Sequence, residues 1–260
     1  GMTDCLNFGN PEVPKAFDDF VQSVKGIADA ASKICWKGDG KSPVPFVSGN
    51  VSFYNESATG KQVDPSPIIA CMGYMEDYTK AITMKLKDSG STIFSIGCRH
   101  DELGGSVYYD INNEVGANVP NIDFEKEKKR IYAIIDCIDN ELFLSCHDIS
   151  DGGILTTISE MALGGEADGK IGAELNLDSS ELSNAKTLFS ESPGFIFEVK
   201  EKNISSVKEI FDKYELNLRE IGKTTSSSSL SITKDDKKII DLKIDELKKA
   251  WTSGIVEAME

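Results

Sequence analysis

Apolar residues recur at helical spacing across 15–34, at Phe17, Phe20, Val21, Val24, Ile27, Ala31 and Ile34, which predicts an amphipathic helix. A polar loop rich in Gly and Lys follows at 36–42. Runs at 44–53 and 68–74 predict two strands, separated by a turn-rich segment at 55–67. Beyond this β-rich piece the pattern mixes. Residues 79–86 predict a short joining helix, 92–97 a buried strand and 107–111 a further strand. Residues 124–138 form a second amphipathic helix, with Phe124, Ile131, Ile134, Ile135 and Ile138 on its apolar side. A short strand at 143–145 runs into a helix at 154–163. Helices at 180–189 and 205–214, strands at 195–199, 230–232 and 239–244, and a helix at 245–251 complete the reading. Residues 226–229 read as a hairpin turn. The fold class is α/β (α+β): a truncated β-rich lobe over 1–78, then a layered α/β lobe over 79–260.

Composition narrows the function classes. The apolar share is 40 % and the charged share 27 %, which supports a packed core. Net charge is −15, from 28 basic and 43 acidic residues. That balance argues against a nucleic-acid partner, which clustered Lys and Arg would hold, and against an acidic membrane surface. It leaves a nucleotide open, because one phosphate pocket needs only local amides, a metal and a few donors. No apolar run approaches the roughly 18 residues of a spanning helix, and no signal peptide is evident. Gly1-Met2 reads as a tag remnant. Cysteines 5, 35, 71, 98, 137 and 146 are scattered with no C-x-x-C pair, which reads as reduced, buried thiols in a cytoplasmic protein.

Several segments carry candidate chemistry. Gly38-Asp39-Gly40-Lys41-Ser42 is not a P-loop, since Cys35 stands where the first Gly belongs and a helix precedes it. Asp148-x-x-Asp151-Gly152-Gly153 lies at a strand-to-helix turn. Its two carboxylates and two glycines suit a magnesium ion or a phosphate at a helix N-terminus, or a plain cap by Ser150 or Asp151; both readings stand. Cys146 and His147 are adjacent on a strand and point to opposite faces, so they form no dyad. Asp110-x-Asn112-Asn113-Glu114 fails as an EF-hand loop, its Gly misplaced and Asn121 at the twelfth position. Asp101-Glu102-Leu103-Gly104-Gly105 can be a charged hairpin loop, and Glu191-Ser192-Pro193-Gly194 a turn before a strand, with Glu191 as a polar contact.

Ser48-Gly49-Asn50-Val51-Ser52-Phe53-Tyr54-Asn55-Glu56 places small polar residues where a plain strand carries apolar ones. Asn50 offers a neutral oxygen and Ser52 a hydroxyl, and they share one strand face; Gly49 and Val51 take the other. A bulged strand edge is the plainer reading of that segment alone.

Taken together, Asp4-Cys5-Leu6-Asn7-Phe8-Gly9-Asn10-Pro11-Glu12, the 48–56 run, Glu102-Leu103-Gly104-Gly105-Ser106, 145–153 and Glu191-Ser192-Pro193-Gly194 resemble, in this order, the second half of the phosphoribosylformylglycinamidine synthase family. The Asp-Gly-Gly turn is similar to that of the wider aminoimidazole ribonucleotide synthetase-like group. The resemblance covers nearly the whole chain. It implies an ATP-dependent, C–N bond-forming ligase of purine biosynthesis. ATP would activate a formamide oxygen as an iminophosphate, and ammonia from glutamine would displace phosphate to give the amidine. It implies that Asp4 and Gly49 contact ATP, that Asn50 and, by analogy, Asp148 bind magnesium, and that Ser52 contacts substrate. It assigns no catalytic side chain here. The family's first half is absent from this sequence, Phe195 stands where Arg is usual, and 36–42 looks inserted. A fragment inactive alone is expected, which would pair with the missing N-terminal half and a glutaminase, or with itself as a homodimer. The alternatives are a nucleotide-holding module that docks to a catalytic half, and another ATP-using enzyme of the superfamily.

Overall fold

A long helix bridges a parallel strand pair in the first part of this computed structural model, which describes residues 1–164, 171–177 and 181–259, without the side chains of 255–258. The chain groups into two units: Gly1–Tyr78 with Phe124–Lys128, and Thr79–Asp123 with Lys129–Glu260. In the first, β1 (Met2–Asn7) runs parallel to β2 (Phe46–Ser52) and antiparallel to β3 (Ser66–Cys71), in the order β2-β1-β3. The connecting helix α1 (Pro14–Ile34) starts with Pro at a position where no N–H is needed. Phe20 of α1 meets Phe8 and Phe53 edge-to-face at 5.3 and 5.0 Å, which ties the helix to the strand ends. This core is small. Val47, Val51, Ile68 and Met72 all stay exposed on or beside a sheet whose outer strands, β2 and β3, each lack an outer neighbour among the described residues.

The second unit is built on a seven-stranded sheet. Its strands are β4 (Thr92–Ile96), β5 (Phe143–Ile149), β6 (Gly172–Leu177), β7 (Gly194–Val199), β8 (Arg219–Thr225), β9 (Ser229–Lys234) and β10 (Lys237–Lys243), ordered β10-β9-β6-β8-β4-β7-β5. Its helices are α2 (Val107–Ile111), α4 (Gly153–Leu163), α5 (Asn184–Phe189), α6 (Ile204–Lys213), α7 (Ile244–Met259) and most of α3 (Phe124–Asp139). One apolar layer packs Ile154, Ile158 and Met161 of α4, Leu188 of α5 and Ile244 of α7 with Ile93, Leu175, Ile196, Ile221 and Ile232. A second packs Ala133, Ile134 and Cys137 of α3 and Val207 and Phe211 of α6 with Phe94, Phe143, Phe197 and Val199. The two layers use alternate residues of β4 and β7. Both strands therefore carry apolar residues on both faces, which explains why every residue of 92–96, Thr92 and Ser95 included, is buried.

Four expectations change. Residues 107–111 are helical, not a strand, despite their β-branched and aromatic content: Ser106 Oγ caps Tyr109 N at 3.2 Å, and Glu191 accepts from Val107 N at 2.9 Å. The joining helix at 79–86 shrinks to a single turn at Tyr78–Lys80, because Thr83 bridges to Ser145 and Leu86 N bonds Met161 O. Residues 226–229 make no hairpin, since β6 lies between β8 and β9; the hairpin joins β9 to β10 through Asp235 and Asp236, both at positive φ. The strand read at 143–145 extends to Ile149. The expected helix start at Ser180 lies outside the described residues.

Candidate functional site

The β1–β2 pairing is regular through the residues that matter. Asp4 lies opposite Gly49, Cys5 opposite Asn50, and Asn7 opposite Ser52. A Cβ built on Gly49 would stand 2.4 Å from Asp4 Oδ1 and 2.7 Å from its Cγ. The Asp4 carboxylate therefore rests against the Gly49 backbone, and Gly is needed there for room, not for an unusual φ. Side chains alternate along a strand, so Asp4 and Gly49 share one face while Asn50 and Ser52 share the other. Asn50, Ser52 and Gly49 are exposed. Among the described residues, the side chains of Asp4, Asn50 and Ser52 have no hydrogen-bond partner in the protein. Beyond the strand, Asn55 Nδ2 donates to Phe8 O and Ser52 O, both at 3.0 Å, so the chain leaving β2 is stitched to the chain leaving β1. Three polar side chains thus stand open on a fixed backbone.

The nearby glycine-rich loop is closed on itself. The Asp39 carboxylate accepts from Lys41 N at 2.9 Å, Ser42 N at 2.8 Å and Ser42 Oγ at 2.5 Å. The Ser42 and Lys41 bonds pull its pKa down to about 2. Those amides are already used, which is the physical reason this loop does not act as a P-loop.

In the second unit, Asp148 sits near the end of β5. Its Oδ1 lies 3.0 Å from His147 Nδ1, and His147 Nε2 lies 2.9 Å from Glu160 Oε2. His147 is thus held by two carboxylates. The cysteines are not uniformly buried: Cys35 and Cys137 are, Cys71 and Cys98 are exposed, and Cys5 and Cys146 are half-buried; desolvation still pushes the Cys146 thiol up to about 12, so it forms no reactive pair with His147. The turn that follows is capped by neither Ser150 nor Asp151: Gly152 is the cap, with no side-chain bond from its own turn. Gly152 and Gly153 take φ of 75° and 66°. A Cβ on Gly153 would come within 2.6 Å of Leu188 O and 2.9 Å of the Phe189 backbone. Left-handed geometry and close approach to the end of α5 both demand glycine there.

Two carboxylates organise this unit: Glu191, expected only as a polar contact, and Glu198, for which no role is expected from sequence. Glu191 Oε1 accepts from Gly152 N and Val107 N, each at 2.9 Å. The fully buried Glu198 accepts from Lys87 N and Asp88 N at 2.9 Å and Ser145 Oγ at 3.1 Å. An acid in an otherwise apolar strand, as in Gly194–Val199, is the signal that could have marked Glu198. The 101–106 segment is no hairpin. Gly104 N and Gly105 N donate to Asn118 O and Val115 O, and Glu102 accepts from Ser192 Oγ at 2.5 Å and Asn121 N at 3.2 Å. Phe195 packs against the second apolar layer instead of offering a cation.

Comparison with known proteins gives these features a family. Residues 88–235 match the model described as AIR synthase related protein, C-terminal domain. Over 259 residues the chain is 46 % identical to the phosphoribosylformylglycinamidine synthase subunit PurL of Methanothrix thermoacetophila, covering 99 % of this chain and 33 % of that protein. It is 36 % identical to the same subunit of Thermoanaerobacter pseudethanolicus over 100 % of this chain and 34 % of that one. The chain thus spans about a third of the length of these relatives. Among solved structures, Thermotoga maritima PurL complexed with ATP matches with a TM-score of 0.66 at 19 % identity, covering 95 % of this chain and 37 % of that one. The same protein complexed with FGAR matches at 0.70 and 17 % identity, covering 95 % of this chain and 39 % of that one. With more than half of its length inside the family model, the chain belongs to the AIR synthase related proteins, through their C-terminal domain.

Proposed function

We propose that this chain carries ATP and magnesium contacts of a phosphoribosylformylglycinamidine synthase and works together with polypeptide beyond its own sequence. The observation that carries the reading is the β1–β2 pair: the Asp4 carboxylate seated on Gly49 on one face, with an Asn50 amide and a Ser52 hydroxyl that no protein group occupies on the other. Extensive identity to PurL relatives supports the same reading. Asp4 and Gly49 would contact ATP, Asn50 a magnesium ion and Ser52 the substrate, and Asp148, in the other unit, would separately be a magnesium contact.

The donor chemistry fits magnesium. Asn50 is a single hard oxygen on an exposed strand, and among the described residues no group of three His, Cys, Asp or Glu could hold a metal alone. Magnesium that arrives with nucleotide phosphates and keeps most of its waters needs only such an oxygen. When bound, it would neutralise phosphate charge during phosphoryl transfer. In the proposed reaction the formamide oxygen takes the γ-phosphoryl group and ADP leaves. Ammonia then adds to the activated carbon, and the oxygen departs with phosphate to leave the amidine. This chain's part is to hold the nucleotide and orient the acceptor.

Its partners would be the rest of the synthase and a glutaminase, with a homodimer forming when they are missing. The exposed Val47, Val51 and Ile68 and the free edges of β2 and β3 favour such pairing. No described helix is long and apolar enough to cross a membrane, and we read the protein as cytoplasmic. Photolabelling with 8-azido-ATP and magnesium tests the placement. Labelled peptides should come from 2–7 and 46–55. Labels confined to 97–105 or 148–153 would contradict it.

A further inference from the structure

We propose that Glu191 is a positioning residue that supplies, from within the chain, the anion the 148–153 turn would otherwise take from a ligand. One oxygen, Oε1, accepts from Gly152 N and from Val107 N, both at 2.9 Å. Gly152 N is the cap amide of α4, an 11-residue helix, and a helix start carries partial positive charge that favours an anion. Val107 N opens α2 directly after the Gly104-Gly105 turn. One carboxylate oxygen therefore locks two glycine-rich turns that lie far apart in sequence.

The carboxylate is itself held firmly. Ser190 and Ser192 on either side of it are buried, with their hydroxyls 2.8 Å apart. Arg99 Nη1 and Nη2 donate to Ser190 O and Pro193 O, both at 3.1 Å. Ser192 Oγ donates to Glu102 at 2.5 Å. Glu191 is thus delivered to the two amides by a rigid strap and is no loose surface acid. A phosphate can reach the Gly152 amide only by expelling it. The turn that looks most like an anion site in this unit is filled by the protein's own carboxylate, and its glycines serve packing and positive φ.

This inference goes beyond the proposed function and uses no nucleotide, so each can fail without the other. The test is amide hydrogen exchange of the whole chain, read on peptides covering 104–111 and 150–157, for wild type, Glu191→Ala, Glu191→Asp and Glu191→Gln. Each is measured in formate and in chloride at equal ionic strength. In Glu191→Ala both segments should exchange together about tenfold faster or more, the loss expected for a charge-assisted acceptor. Formate should restore both and chloride neither, while wild type ignores the choice of anion. Glu191→Asp, one methylene short, should exchange at a rate between wild type and Glu191→Ala. Glu191→Gln keeps an oxygen acceptor and the fold, so it should loosen both segments to a smaller, equal extent and gain nothing from formate. The proposal is overturned if one segment responds without the other, if formate and chloride act alike on Glu191→Ala, or if Glu191→Gln changes neither segment.

Discussion

Replacing Gly49 by Ala tests the β1–β2 geometry most sharply. The added methyl would stand 2.4 Å from Asp4 Oδ1, 2.7 Å from Cγ and 2.8 Å from Oδ2. Ordinary contact requires the carboxylate to retreat by about 1 Å or more. Asp4 can do so by rotating, at a cost of about 0.5–1.5 kcal/mol. Replacing Gly in a strand returns about 0.5–1 kcal/mol by restricting the unfolded chain. The two effects nearly cancel, so urea unfolding should show a change within about 1 kcal/mol. Nucleotide binding should not cancel. A displaced charged contact is worth about 1.5–3 kcal/mol, which is a loss of roughly ten- to a hundredfold in Mg-ATP affinity. The assay is calorimetric titration across a double-mutant cycle of Gly49→Ala and Asp4→Ala. If Gly49→Ala acts by pushing Asp4 aside, it should cost nothing further once Asp4 is gone, because the methyl then has space. Equal losses in both backgrounds would refute the reasoning and point to backbone contact at Gly49 instead.

Other consequences concern stability and pH. Glu198→Ala leaves the Lys87 and Asp88 amides and the Ser145 hydroxyl unpaired at a fully buried site, and should cost about 3 kcal/mol or more in chemical denaturation. Gly153→Ala meets Leu188 O at 2.6 Å and forces a left-handed φ of 66° on a side chain, so it should destabilise the second unit by about 2–4 kcal/mol. Asp39 should titrate near 2 in carboxyl carbon NMR. Its folded pKa lies below the unfolded value of 3.8, so its contribution to loop order is present above that value and is lost as pH falls toward 2. Asp39→Asn should remove that step and leave the rest of the acid transition unchanged.

How much of this was legible depended on local pattern. α1 and α3 declared themselves because their apolar residues keep helical spacing over long runs. β4 was legible as a short, β-branched and aromatic run with few polar positions, because both of its faces are covered. β6 alternates faithfully, with Ala173, Leu175 and Leu177 buried and Glu174 and Asn176 exposed, yet its Gly, Ala, Glu and Asn content hid it. β1 hid for the opposite reason: its polar residues read as a ligand wall, and they are also the central strand of a sheet. α2 is not legible locally because the bond that starts it comes from Glu191, 84 residues away. The pairing of Asp4 with Gly49 was likewise invisible before the strands were registered, although both residues had been singled out. The roles of Glu191 and Glu198 could not be read locally, since each is defined by amides distant in sequence.

The central claim, that β1 and β2 hold nucleotide through magnesium, rests most directly on one titration. Isothermal calorimetry of the whole chain with Mg-ATP, repeated with ATP in EDTA and with Asn50→Ala, isolates the metal contact. The account predicts one binding event for wild type, weakened by EDTA and weakened to a similar extent by Asn50→Ala, with little further loss when the two are combined. Absence of binding by wild type, or equal affinity for Mg-ATP in wild type and Asn50→Ala, would contradict it.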